Sequence, residues 1–150
     1  MDAAKLFEAM VQTGNQIDSE WSMYIVVHLG LFWFFFLVHR PLLLVERAIA
    51  LIAYGAFDFI NGNSLLAAYR LLESMRVDLL TNFQSGLANT PRMAEVLTSL
   101  EYGSRNELIL MSHGGAFVVV ALFIIFRNVM IRRYDRVFPR HADRGGGLLG

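Results

Sequence analysis

The chain has no cysteine, which removes disulfides, thiolate metal sites and thiol catalysis together. Lysine is almost missing: Lys5 stands alone and every other fixed positive charge is arginine. Motifs that carry catalysis are missing too. There is no Gly-rich phosphate loop, no His-Glu-x-x-His pair and no nucleophile elbow, and polar groups are so sparse that hydrolytic catalysis is not expected. The opening "MDAAKLFEAM" is acidic and amphipathic, with no basic n-region or small-residue cleavage site ahead of the first apolar run. It does not read as a secretory signal, so the first apolar run is expected to stay in the mature protein. Net charge is zero and no internal repeat is visible.

What is present is apolar surface. Of 150 residues, 55% are hydrophobic and mean hydropathy is +0.46, above the usual globular range. The excess sits in runs. Trp21 to Val38 and Leu108 to Phe126 hold no formal charge, and Pro41 to Ile60 holds only Glu46, Arg47 and Asp58. Each reaches the roughly 18–20 residues that cross a hydrocarbon core of about 30 Å. A soluble helix as apolar all round as "LFWFFFLV" needs a large protein to cover it, and one domain of this length does not supply that cover.

The chain is therefore expected to be an all-α integral membrane protein in a single membrane domain, 1–150, with spans at about 21–38, 41–60 and 108–126. A helical, amphipathic extracytoplasmic segment, 61–107, follows span two, and a basic cytoplasmic tail, 127–150, follows span three. Charge sets the orientation. One positive and four negative residues precede span one, His39 and Arg40 occupy the first turn, and six arginines against two aspartates follow span three. The positive-inside rule places the turn and C-terminus in the cytoplasm and the N-terminus outside, as in a bacterial inner membrane.

Local signals divide the chain further. Asp2 is a plausible N-cap for a short amphipathic helix over 3–12, and Gly14 with Asn15 should break it before Asp18 or Ser19 restarts the chain. "NGNS", Asn61 to Ser64, should stop span two and cap an amphipathic helix over 64–83. "QSGLANTP" reads as a loop, Pro91 as a helix start and Gly103 as its end. Ser104 to Glu107 has the capping-box spacing that launches span three, whose helix should run on to Pro139 before a disordered "RGGGLLG".

Candidate functional residues are few. At about 1.5 Å per residue, His28 lies about 16 Å from the cytoplasmic end of span one and His113 about 21 Å from that of span three, so the two imidazoles fall near one level. Two facing imidazoles would suit a b-type haem or a metal in an electron-transfer subunit; the plainer reading is a hydrogen bond to a neighbouring helix, with Tyr54 or Ser112 as partner. Glu46 and Arg47 read as an interfacial pair near the start of span two, Arg47 reaching phosphates and Glu46 finding Arg40 or Arg127. Asp58 reads as a cap at the outer end of span two. With His28, Glu46 and His113 it is also a candidate lining residue for an ion or proton path. Arg127, Arg132, Arg133 and Arg136 read as topology anchors touching anionic lipid or a partner, at about 1 kcal/mol each; no aromatic platform supports nucleic acid. The bulky run "LFWFFF" is poorly suited to close packing in three helices and points to a protein partner, a second copy or a bound lipid. The functional expectation is a small non-catalytic accessory or scaffold subunit of the membrane, with haem-binding and ion-path readings as alternatives.

Overall fold

The computed structural model describes residues 3–38, 40–84, 91–100 and 102–137. The expected cap at Asp2, the loop over 85–90, the stop at Pro139 and the tail beyond it lie outside the described residues, as does His39. Four helices are present: α1 (Ala3–Leu37), α2 (Leu44–Gln84), α3 (Pro91–Ser99) and α4 (Arg105–Val137). The three long ones are each long and apolar enough to cross a membrane, and the short α3 lies between the second and third.

Two expected helix breaks do not occur. α1 runs unbroken through Gly14 and Asn15, and α2 runs unbroken through Asn61–Ser64. A glycine inside a helix costs about 1 kcal/mol relative to alanine. The first half of α1 places Leu6, Met10 and Ile17 in a core with Leu65, Ala68, Leu72 and Leu79 of α2, and each full burial is worth about 1.5–3 kcal/mol. Packing therefore outweighs the break signal. In "NGNS" the polar side chains serve tertiary contacts instead of a cap: Asn61 and Ser64 reach α1, while Asn63 folds back on the Phe59 carbonyl at 2.7 Å.

At about 1.5 Å per residue, α1 is about 52 Å long and α2 about 61 Å, against a hydrocarbon core of about 30 Å. Spanning such a core takes up only part of either helix. The N-terminal half of α1 and the distal half of α2 form one apolar cluster, closed by Leu97 of α3 and Ile109 at the start of α4. Arg76 holds α3 in place, donating to the Leu97 carbonyl at 3.0 Å while its other donors meet Glu73 at 2.6 and 2.9 Å.

The opposite end, where α1 turns into α2, has its own apolar cluster of Phe35, Leu42 and Ile124, with Leu31, Leu51 and Val120 packed against it. The turn is fixed by two neighbours on α4. Arg127, only 3% exposed, donates to the carbonyls of Phe35, Val38 and Arg40, so a cation closes the C-terminal end of α1 where the helix dipole is negative. Asn128 accepts from the Leu42 N–H at 2.9 Å and donates to the Leu42 carbonyl at 2.8 Å. On the α2 side, Glu46 reaches back to the Leu43 N–H at 2.8 Å, the reciprocal half of a capping box, and pairs with Arg40.

α2 is the central helix. α1 and α4 each pack along it, but no described Cα of α1 comes within 8 Å of one in α4. They meet through side chains alone.

Candidate functional site

Between the two apolar clusters lies a layer of polar side chains drawn from all three long helices. On α1, Glu20, Tyr24 and His28 recur every four residues and so share a face. On α2, Tyr54, Asp58 and Asn61 form the matching stripe, all three buried. α4 supplies Ser112 and His113.

Tyr24 is the middle of the layer. Its ring centroid is 4.2 Å from that of His28 and 4.4 Å from that of His113, and its hydroxyl donates to the Ser112 carbonyl at 3.0 Å. Trp21, one turn away, packs edge-on against Tyr24 and donates its indole N–H to the Tyr69 hydroxyl at 3.3 Å.

The hydrogen bonds of His28 can be assigned by donor counting. Nδ1 is 2.7 Å from the Tyr24 carbonyl, which only accepts, so Nδ1 carries the proton. Nε2 then presents a lone pair to the Tyr54 hydroxyl, also at 2.7 Å. A neutral ring satisfies both bonds.

His113 is surrounded differently. Nδ1 is 3.1 Å from the Ile109 carbonyl, and Nε2 is 3.0 Å from Asn61 Oδ1. The Asn61 amide is oriented by Glu20: Nδ2 donates to Glu20 Oε2 at 2.8 Å and to the Glu20 carbonyl at 3.2 Å, both of them acceptors. Ser64 donates to the other Glu20 oxygen at 2.6 Å. Ser112 commits its hydroxyl proton to the Ile109 carbonyl at 3.0 Å, nearer than His113 Nδ1 at 3.4 Å. Gly62 leaves room for the imidazole, because a Cβ there would sit 3.1 Å from His113 Cδ2.

Asp58 is 8% exposed, and its Oδ1 is buried with no hydrogen-bond partner. It is not the water-facing cap expected from the sequence, because α2 continues past it and turns it into the layer.

Comparison with known proteins found no matching family model, no similar curated protein and no similar solved structure. The chemistry of the site has to be read from its own geometry.

That geometry does not suit a b-type haem. Axial ligation needs an open imidazole lone pair; His28 Nε2 is engaged by Tyr54, His113 Nε2 faces an acceptor, and the Tyr24 ring packs against both imidazoles. Among the described residues no cluster of three or more His, Asp or Glu side chains could hold a metal ion. Within one chain His28, Asp58 and His113 share the layer, while Glu46 stands apart at the turn. The layer ends at His28, and toward the turn the neighbouring side chains are apolar, among them Leu31, Phe35, Leu51, Val120 and Ile124.

Of the candidates named from sequence, His28, Tyr54, Asp58, Ser112 and His113 come together here. Glu46 and Arg47 do not. Glu46 is at the turn with Arg40, at 2.5 and 2.8 Å, and Arg47 donates to the Ile125 carbonyl at 3.4 Å with its Nε buried and unpartnered. Arg47 thus turns toward α4 rather than toward phosphates. Arg127 is likewise inside the bundle, not against lipid, because the free carbonyls at the end of α1 need its donors. Arg132 and Arg133 are exposed on α4; the Arg136 side chain lies outside the described residues.

Glu20, Trp21, Tyr24 and Asn61 were missed as site residues. The four-residue spacing of Glu20, Tyr24 and His28 is visible in the sequence, but it carries that meaning only once α1 is known to be continuous. Asn61 was masked by its own helix-stop signal.

Between α1 and α4 there is an apolar cleft of about 260 Å³, lined mainly by His28, Leu31, Phe35, Val119, Val120 and Phe123. It lies where the two backbones fail to meet.

Proposed function

We propose that this chain is a small integral membrane accessory or scaffold subunit, without catalysis of its own, that assembles with a second copy or with a larger membrane complex through its spans and outer helices. The observation that carries this reading is the open side of the bundle. Packed helices normally approach to about 8–10 Å, yet α1 and α4 leave a cleft of about 260 Å³ between them. Three helices that closed on one another would form a self-sufficient unit; these do not.

The aromatic run adds to it. Phe35 is buried, whereas Phe32 at 66% and Phe36 at 62% exposure, with Trp33 and Phe34, turn outward. Rigid rings of this kind offer much contact area for little ordering entropy. In the orientation that the charges favour, the N-terminal half of α1, the distal half of α2 and α3 stand outside, and the arginines of α4 face the cytoplasm, where Arg132 and Arg133 can meet anionic lipid or a partner.

The test is the mass of the assembly extracted from its own membrane into native lipid particles. A multiple of the 17.0 kDa chain, or a defined larger complex that Val119→Trp disrupts by filling the cleft, supports the reading. A 17.0 kDa monomer in the membrane, unaffected by that substitution, overturns it.

A further inference from the structure

The donor inventory of the polar layer does not balance if every group is in its ordinary state. His113 has an acceptor at each ring nitrogen, the Ile109 carbonyl and Asn61 Oδ1. A neutral imidazole supplies one N–H and so cannot satisfy both. Asp58 has the opposite defect: an ionised carboxylate is acceptor-only, and Oδ1 is buried without a donor.

The neighbouring donors are all committed elsewhere. Tyr24 donates to the Ser112 carbonyl, Tyr54 to His28 Nε2, Asn61 to Glu20, and Ser112 to the Ile109 carbonyl. A buried acceptor with no partner is costly, and a buried unpaired charge more so. A proton on His113 satisfies both of its acceptors, and a proton on Asp58 removes the buried charge, so a single proton relieves either group.

We propose that Asp58 and His113 share one exchangeable proton, which makes the polar layer an internal proton-binding site. With the proton on His113, the imidazolium donates to both Ile109 and Asn61 and offsets the Asp58 carboxylate. With the proton on Asp58, an N–H bond has broken and an O–H bond has formed; the imidazolium becomes a neutral imidazole, the carboxylate a neutral acid, and the net charge of the layer is unchanged. Loss of the proton to outside water leaves the carboxylate uncompensated.

The groups that face the pair are Glu20, Tyr24 and His28 from α1, Tyr54 and Asn61 from α2, and Ser112 from α4; among the described residues α3 contributes none. Glu20, half-buried and bonded through Asn61 to His113, lies on the α3 side of the layer. Toward the turn the layer gives way to the apolar cluster and to the apolar cleft that His28 lines, neither of which adds a further titratable group. The site stores a proton instead of conducting it, and it does so whether or not the chain assembles with a partner.

The experiment is infrared difference spectroscopy of the full chain in lipid nanodiscs between about pH 5 and 9, a range that brackets histidine titration and leaves water-exposed carboxyls ionised at its upper end. The expected result is a protonated-carboxyl C=O band that persists above the range in which water-exposed carboxyls ionise and is lost in Asp58→Asn. In His113→Gln the second resting place is gone, so the band should survive to higher pH. Labelling the unaltered protein with 13C-aspartate should shift the same band, which keeps the test valid if Asp58→Asn fails to fold. No isotope-sensitive band at about pH 7, in wild type and His113→Gln alike, would mean an ionised Asp58 throughout and would overturn the proposal.

Discussion

Gly62→Ala tests whether the polar layer is as tightly built as its distances state. A Cβ at Gly62 would lie 3.1 Å from His113 Cδ2, 3.4 Å from Cγ and 3.7 Å from Nε2. Carbon pairs are at their optimum near 3.5–4.0 Å, so the imidazole has to retreat by about 0.5 Å. Its Nε2 is now 3.0 Å from Asn61 Oδ1, and that retreat takes the contact to about 3.5 Å, beyond the usual hydrogen-bond range. Overpacking costs about 1–3 kcal/mol and the weakened bond about 0.5–1.5 kcal/mol. Replacing glycine by alanine in a helix returns about 1 kcal/mol. The expected net loss is about 0.5–3.5 kcal/mol, read as unfolding free energy in bicelles by steric trapping, with a displaced His113 ring 15N resonance. Gly14→Ala is the internal control: nothing lies within 4 Å of a Cβ there, so it should gain about 0.5–1 kcal/mol. In a His113→Ala background the Gly62→Ala penalty should vanish. A Gly62→Ala protein as stable as wild type, with His113 resonances unmoved, would refute the reasoning.

Three further outcomes follow from the packing. Arg127→Leu removes the donors of three α1 and turn carbonyls and should cost about 3 kcal/mol or more, with amide exchange accelerating over residues 38–43; Arg132→Ala, on the exposed surface, should stay within about 0.5 kcal/mol. Leu65→Ala, at a position with 0% exposure, should cost about 2–5 kcal/mol and loosen the N-terminal half of α1 and the distal half of α2 together, while Leu71→Ala on the exposed face should change stability far less. Arg40→Ala should leave stability nearly unchanged, since the pair it breaks is solvent-exposed, whereas Glu46→Ala also frees the Leu43 N–H and should fray the first turn of α2 by hydrogen exchange; equal fraying in both variants would count against the capping role of Glu46.

Much of the architecture can be read in the chain itself. The three apolar runs, the lack of charge within two of them, and the helix start at Pro91 specify three membrane-length helical segments and a short helix before the third, because length and composition alone decide whether a helix can be buried in hydrocarbon; that the first two run on as helices of 35 and 41 residues is not legible. The site is less legible. His28 and His113 stand out as imidazoles in apolar runs, but Glu20 reads as one more acidic residue before a span and Asn61 as a stop signal. Local propensities are worth a fraction of a kcal/mol to about 1 kcal/mol each, and the burial of Leu65, Ala68, Leu72 and Leu79 against α1 exceeds them.

The sequence by itself determined which segments are helical and apolar, since hydropathy and span length are local sums over neighbouring residues. Only the tertiary structure decided which side chains meet. Continuity of α1 and α2 through glycine and asparagine puts Glu20 beside Asn61, Asn61 beside His113, Tyr24 against His113, and Arg127 over the end of α1. Those contacts join residues 41 to 92 positions apart, and no local rule reaches that far, because the energy that selects them is released only when the helices pack.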